Sequence, residues 1–318
     1  MYTVDSIGVI ASQLLEHSAS WKVLHVYRSC FYCVNECGDI LCIGSRQIGR
    51  GPFTITVNQL MSGLESKVSK SEQLVLENNY LRFHNAKDSI IINRYKRWDK
   101  TFRASRAFPS SIQGHNELIC NLAQNAAPLN SLGTLIPAIL SKTASFNSNQ
   151  NDLAQLIQAK TLRVITRCRE LPVFSDAGQF SQAFSEHLSG LIGVGFGLTP
   201  SGDDFCCGAV LGLAHMQYSR LAEKVAVLLS KKAEEKTTII SQAFFRSLAQ
   251  TYISENQARL LERFGHTAPS DLKQILISIA SHGSTSGWDM LAGFAFGIDQ
   301  GCRLSSDTCL ENKMVCQC

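Results

Sequence analysis

The chain has 318 residues, more than one small core needs, and 45% are apolar against 18% charged, which excludes a disordered or collagen-like polymer. With 30 Lys and Arg against 26 Asp and Glu, the net charge of +4 is too small and too dispersed for a nucleic-acid surface. The longest apolar stretch, residues 188–198, is glycine-rich and too short to span a bilayer. The first residues lack the basic-then-apolar pattern of a secretory signal, so a soluble cytoplasmic protein without a membrane segment is the expectation.

The first third alternates short β-type runs with turn signals. A helix is expected over 7–17, then strands over 23–27, 31–34, 40–43, 53–57, 73–76, 80–83 and 89–92, with polar breaks at 77–79 and 85–88. Cys30, Cys33, Cys37 and Cys42 fall in this region at spacings that resemble a metal site. They alternate with Phe31, Tyr32 and Val34 as strand residues do, and no second CxxC pair answers them, so small buried apolar residues are the simpler reading. Gly44 to Pro52 forms a basic glycine loop in which Arg46 or Arg50 could clamp an anion or remain solvated.

Residues 101–114, with Pro109, Ser110 and Ser111, read as a connector, and 145–152 as a polar loop. Helical periodicity follows the connector, over 118–126, 131–141, 153–169, 179–188, 204–216, 221–248, 257–264, 272–280 and 288–299. The expected fold class is α+β: an antiparallel β-rich domain over 1–105, a larger, mostly α-helical domain over 106–302, and a loose tail over 303–318.

One stretch concentrates chemical signal. Gly193, Gly195 and Gly197 alternate before Leu198-Thr199-Pro200-Ser201-Gly202-Asp203-Asp204, and the apolar run 205–213 follows. Such a glycine-rich turn opening a helix presents unpaired N–H groups and a positive dipole end, which suits an anion. Asp203 and Asp204 stabilise the first turn electrostatically, or hold a divalent cation such as magnesium beside a phosphate. A tight loop with a capped core helix accounts for the same residues.

Eighty-five residues on, the pattern returns. Ser201-Gly202-x-Asp204 with Gly208 and Gly212 aligns without gaps to Ser286-Gly287-x-Asp289 with Gly293 and Gly297. Helices that cross at matched Gly-x3-Gly faces, N-termini at the same end, bring both loops to one cleft. That cleft would carry the hydroxyls of Thr199, Ser201, Ser284, Thr285 and Ser286 and three carboxylates, a composition suited to a phosphate-bearing substrate. His282, just before the second loop, is a candidate acid/base or a helix-ending residue. Trp288, His187 and His215 read as packing residues. Thr237 and Thr238, with Ser241 on the same helix, either line a polar cleft or face solvent.

Gly197 to Phe205, Lys236 to Ser241, and Gly283 to Asp289 resemble a bacterial family long labelled as a domain of unknown function, which includes the AllH-type subunit of oxamate carbamoyltransferase. Gly51-Pro52 also fits, so the resemblance extends over most of residues 20–300. It implies a cytoplasmic protein acting with other subunits, or as a homo-oligomer, in carbamoyl transfer between phosphate and oxamate. Carbamoyl phosphate, oxamate and oxalurate are all small anions, in keeping with the motif physics. On that physics the catalytic candidates are His282, Asp204 and Asp289. The substrate-binding candidates are Gly195, Gly197, Thr199, Ser201, Gly202, Thr237, Thr238, Ser284, Thr285, Ser286 and Gly287, and Asp203 and Asp204 are the metal candidates. The alternative is a non-catalytic ligand-binding or assembly subunit built on the same fold.

Overall fold

A computed structural model describes residues 1–58, 68–85, 89–103, 112–141, 152–172, 174 and 176–306. Two compact units make up the chain: Met1–Thr101 with Tyr252–Glu255, and Phe102–Thr251 with Asn256–Cys318. The first is β-rich and the second helical, a mixed α+β protein.

The β unit opens with a strand, not the helix expected at residue 7. In β1 (Tyr2–Gly8) the apolar residues Tyr2, Val4 and Ile7 are buried in a strand pattern, and α1 (Val9–His17) starts directly after it. The amides of Ile10 and Ala11 donate to the carbonyl of Pro52 at 2.9 and 3.0 Å, so backbone rather than a side-chain cap satisfies this helix start. The remaining strands are β2 (Ser20–Val26), β3 (Cys30–Val34), β4 (Ile40–Ser45), β5 (Thr54–Val57), β6 (Gln73–Glu77), β7 (Tyr80–Phe83), β8 (Ser89–Ile91) and β9 (Lys96–Trp98).

Their order is β5-β4-β3-β2-β6-β7-β8-β1-β9, and a further β1–β5 pairing closes the sheet into a ring. The hairpins are antiparallel as their turn signals indicate, but β4–β5, β1–β8 and β1–β9 pair in parallel. A purely antiparallel module is therefore corrected to a mixed barrel. Closure pairs every strand of the ring on both sides, leaves β9 paired to β1 alone among the described residues, and encloses a core that includes Trp21, Phe31, Ile43, Ile55, Leu74 and Leu81. Cys33 belongs to this core, Cys42 is buried outside it on the alternate face of β4, Cys30 is half-buried and Cys37 exposed.

The two arginines of the glycine loop have partners within this unit. Arg46 pairs with Asp5. Arg50 makes a forked contact with Glu255, Nε to Oε2 at 3.1 Å and an η nitrogen to Oε1 at 2.9 Å, and its guanidinium lies 4.6 Å from the Trp98 ring centre. Trp98 Nε1 donates to the carbonyl of Ile253 at 2.8 Å. These contacts tie residues 252–255 into the β unit and leave neither arginine as an open anion clamp.

The helical unit contains α2 (Gln113–Ala126), a 3-10 turn (Leu132–Leu135), α3 (Ile136–Ser141), α4 (Leu153–Arg169), α5 (Ala177–Leu188) and α6 (Ser201–His215). It continues with α7 (Ser219–Ala233), α8 (Ile239–Ala249), α9 (Glu255–Arg263), α10 (Pro269–Ala280) and α11 (Ser286–Ser306). The single helix expected over 221–248 is two, because Thr238 takes an extended backbone and caps α8, its hydroxyl accepting from the Ser241 amide. The last helix runs to Ser306, past the expected end at 299. Parts of the expected connector, polar loop and tail, residues 104–111, 142–151 and 307–318, lie outside the described residues.

Helices α6 and α11 are apolar all round and nearly wholly buried, as a central helix pair must be. They run in parallel. A β-carbon at Gly208 would stand 2.0 Å from the Met290 carbonyl oxygen, and one at Gly293 1.9 Å from that of Phe205. Gly212 and Gly297 repeat the contact one turn on, with 2.4 Å to the Phe294 oxygen and 2.3 Å to that of Ala209. Phe184 and Phe205 flank Phe296 with ring centres at 6.0 and 5.6 Å, which locks the pair against α5.

Candidate functional site

Parallel packing at a constant offset sets the two Ser-Gly-x-Asp helix starts side by side. Thr199 Oγ1 lies 2.9 Å from Ser286 Oγ across the helix pair. Each start is wedged in the same way. A β-carbon at Gly202 would meet the Leu191 oxygen at 2.0 Å, and one at Gly287 the Ile279 oxygen at 1.9 Å. The amide of Gly202 donates to the Val194 carbonyl at 2.8 Å, and that of Gly287 to the His282 carbonyl at 3.1 Å. These two N–H groups, offered to an anion on sequence grounds, are therefore engaged within the protein.

The glycine loop is held by a ladder of its own. Gly193 and Gly195 have φ of 76° and 130°, and a side chain would strike Lys236 O at Gly193 or Ser201 N at Gly195. Asp203, 2% exposed, accepts from the Gly193 amide on Oδ1 at 2.7 Å and from the Thr237 hydroxyl on Oδ2. Burial raises its pKa, against the pull of the Thr237 hydroxyl and the Gly193 amide. Both oxygens of this metal candidate thus have structural partners. Thr238 donates to the Leu198 carbonyl while capping α8, so Thr237 and Thr238 fasten the loop and do not present free hydroxyls. Thr238→Val removes both roles and is expected to lower stability by about 1–2 kcal/mol in denaturant titration, with Thr238→Ser restoring most of it.

The other two carboxylates differ from Asp203. Asp289 is fully buried, and its Oδ1 accepts from the Leu132 amide at 2.6 Å. Its Oδ2 is sealed from solvent and has no hydrogen-bond partner among the described residues, and the same holds for Asp204 Oδ2. Burial, then the charge of Asp289, push the Asp204 carboxyl well above the usual carboxylate range, and the hydroxyls of Ser286 and Thr199 oppose them. Burial likewise raises Asp289 against the Leu132 amide and the hydroxyls of Ser201 and Thr285. The arrangement is reciprocal: the aspartate of each repeat sits by the serine of the other.

His282 and Ser284 are exposed and Thr285 half-buried, so the second loop forms the solvent side of this cluster. Gly197 is open, with no heavy atom within 4 Å of a β-carbon there, and Phe196 beside it is 68% exposed. Trp288 packs on Gly133, as a core residue does. His215 is buried among Phe264, Phe294 and His266. The helix expected over 131–141 is a 3-10 turn followed by α3, and the part played by the Leu132 amide of that turn was not foreseen. The turn is ordered by Gln158, whose amide donates to Leu129 O, Ser131 O and Thr134 Oγ1 at 2.8, 2.9 and 3.1 Å. Among the described residues no three His, Cys, Asp or Glu side chains are grouped to hold a metal ion, and no described helix is long and apolar enough to cross a membrane.

No solved structure matches the chain. The early Gly51-Pro52 block lies outside the family match, which is narrower than the resemblance over residues 20–300. A protein-family model, that of oxamate carbamoyltransferase subunit AllH, matches residues 191–298, the segment that carries the glycine loop, both Ser-Gly-x-Asp helix starts and every residue of the cluster except Leu132.

Proposed function

We propose that this chain is a subunit of a carbamoyltransferase-like enzyme and binds a small phosphorylated or carboxylated anion at the paired starts of α6 and α11. The observation that carries this reading is the 2.9 Å approach of Thr199 to Ser286, which joins two positive helix ends within the matched segment. Helix dipoles, the hydroxyls of Thr199, Ser201, Ser284, Thr285 and Ser286, and the open backbone at Gly197 would orient the anion. Catalysis would consist mainly of positioning and charge stabilisation. His282, exposed at the edge of the cluster, would exchange protons with solvent, and Asp204 and Asp289 would act on the reacting groups. A divalent cation, if one takes part, would draw on Asp204 or Asp289, since Asp203 is already bonded on both oxygens.

The description of the matched family as a subunit supports dependence on other protein subunits. Isothermal titration with carbamoyl phosphate, with and without magnesium, is expected to give saturable heat at millimolar ligand or below. No heat under either condition overturns the reading. Turnover by the isolated chain, set against a mixture with partner subunits, separates a catalytic subunit from a ligand-binding one.

A further inference from the structure

Strand alternation sorts the cysteines of the β3–β4 hairpin. Phe31 and Cys33 of β3 and Leu41 and Ile43 of β4 face the barrel core. Cys30, Tyr32, Cys42 and Gly44 therefore lie on the outer face, where the register sets Cys30 opposite Gly44 and Tyr32 opposite Cys42. Cys30 and Cys42 are diagonal neighbours on that face, and their side chains touch. The Cys42 thiol donates to the Cys30 sulfur, and the Tyr32 hydroxyl donates in turn to Cys42. Gly44 makes room for this contact, since a β-carbon there would stand 2.7 Å from that of Cys30. The bond from Cys42 pulls the Cys30 thiol below its ordinary range against the effect of burial, and keeps the Cys42 proton in place. Cys33, turned to the core, is raised by burial alone.

We infer that Cys30 and Cys42 form a reversible thiol–disulfide site, in which Cys30 reacts with a hydroperoxide and Cys42 resolves the product. The two differ as those roles require: Cys30 is half-buried and reachable, while Cys42 stands behind it at 5% exposure. In the first step the Cys30 thiolate attacks one peroxide oxygen. The O–O bond breaks, the other oxygen takes up a proton and leaves as water or an alcohol, and Cys30 becomes a sulfenic acid. In the second step the Cys42 sulfur attacks the sulfenic sulfur. An S–S bond forms, the S–O bond breaks, and the hydroxyl leaves as water with the Cys42 proton. The two thiols lose two electrons, which the peroxide gains. The Tyr32 hydroxyl supports the charge on Cys42 as its proton departs. A dithiol reductant reverses the bond by exchange. Cys30 is the first residue of β3, beside the turn that Tyr27 N–H closes on its carbonyl at 2.8 Å. A strand end can supply the roughly 1 Å by which diagonal Cα atoms usually exceed a disulfide's span.

Peptide mapping of the reduced, folded full chain after stoichiometric hydrogen peroxide provides the test. Cleavage after Arg28, before Asp39 and after Arg46 places Cys30, Cys33 and Cys37 on residues 29–38 and Cys42 on residues 39–46. The expected product is these two peptides joined, with fragmentation assigning the bond to Cys30 and dithiothreitol removing it. Cys37→Ser, which replaces the exposed thiol of the hairpin turn, is expected to leave the joined pair unchanged. In Cys42→Ser the sulfenic acid at Cys30 has no resolving thiol, and its labelling by dimedone is expected to rise about tenfold or more over the parent. Circular dichroism checks that each variant is folded, and the map of the parent decides the matter without any variant.

A parent in which the two peptides stay separate overturns the site. A bond to Cys42 from Cys33 or Cys37 overturns the assignment to Cys30. Dimedone labelling of Cys30 no greater in folded Cys42→Ser than in the parent overturns the resolving role of Cys42.

Discussion

Gly293→Ala is expected to lower the stability of the helical unit by about 3 kcal/mol or more, although alanine is the better helix former. The added methyl would stand 1.9 Å from the carbonyl oxygen of Phe205, and that neighbour is backbone in a helix buried on all sides, so nothing can swing away. The helices must part or shift. Either movement opens the contacts of Phe296 with Phe184 and Phe205 and separates Thr199 from Ser286. Gly114→Ala in α2 is the control. Its methyl would lie 3.7 Å from Pro269, ordinary contact distance, and the substitution is expected to be neutral or to stabilise by about 0.5–1 kcal/mol. Far-UV circular dichroism during denaturant titration measures both. A Gly293→Ala protein as stable as the parent would mean that the helices do not meet at this face. Gly208→Ala should behave like Gly293→Ala, with a methyl 2.0 Å from the Met290 oxygen, and the double variant should fall short of additivity because both changes widen one interface.

The helix pair was legible because its signal is steric and local. Glycines at fixed spacing in two copies of one pattern require a close backbone approach, and the common Ser-Gly-x-Asp start sets the register. The ring of strands was only half legible. Turn residues announce hairpins, and these held, but the parallel pairings of β1 with β8 and β9 join segments that no local signal relates. At β1 itself the helical run that follows concealed the strand. In the site, side chains were easier to find than their bonds. Thr238 stands before Ile239-Ile240 as an N-cap residue does, yet apolar periodicity continues in phase across the break and hides it. The Leu132 amide could not be found from side-chain chemistry, since it is a backbone group brought to Asp289 by a turn 157 positions away in the chain.

Asp204→Asn is expected to make the protein more stable at neutral pH, by about 1–3 kcal/mol, and to leave it nearly unchanged near pH 3. The folded state holds the Asp204 proton well above the range in which the unfolded chain releases it, because burial and the charge of Asp289 oppose ionisation. From about pH 4 upward the folded state therefore binds more protons than the unfolded one, and stability falls as pH rises until the folded carboxyl has titrated. Asparagine has almost the same shape and no proton to lose, so the variant is spared this decline. Measuring parent and variant at each pH isolates the effect from other groups. His215 in particular works in the opposite sense: burial lowers its pKa to about 4, so its contribution is complete above the ordinary histidine value and is lost as pH falls from about 6.5 toward 4. A difference between parent and variant that grows steadily with pH is the expected signature. A constant difference, or a variant less stable at pH 7, would mean that the Asp204 carboxylate is satisfied in the folded protein.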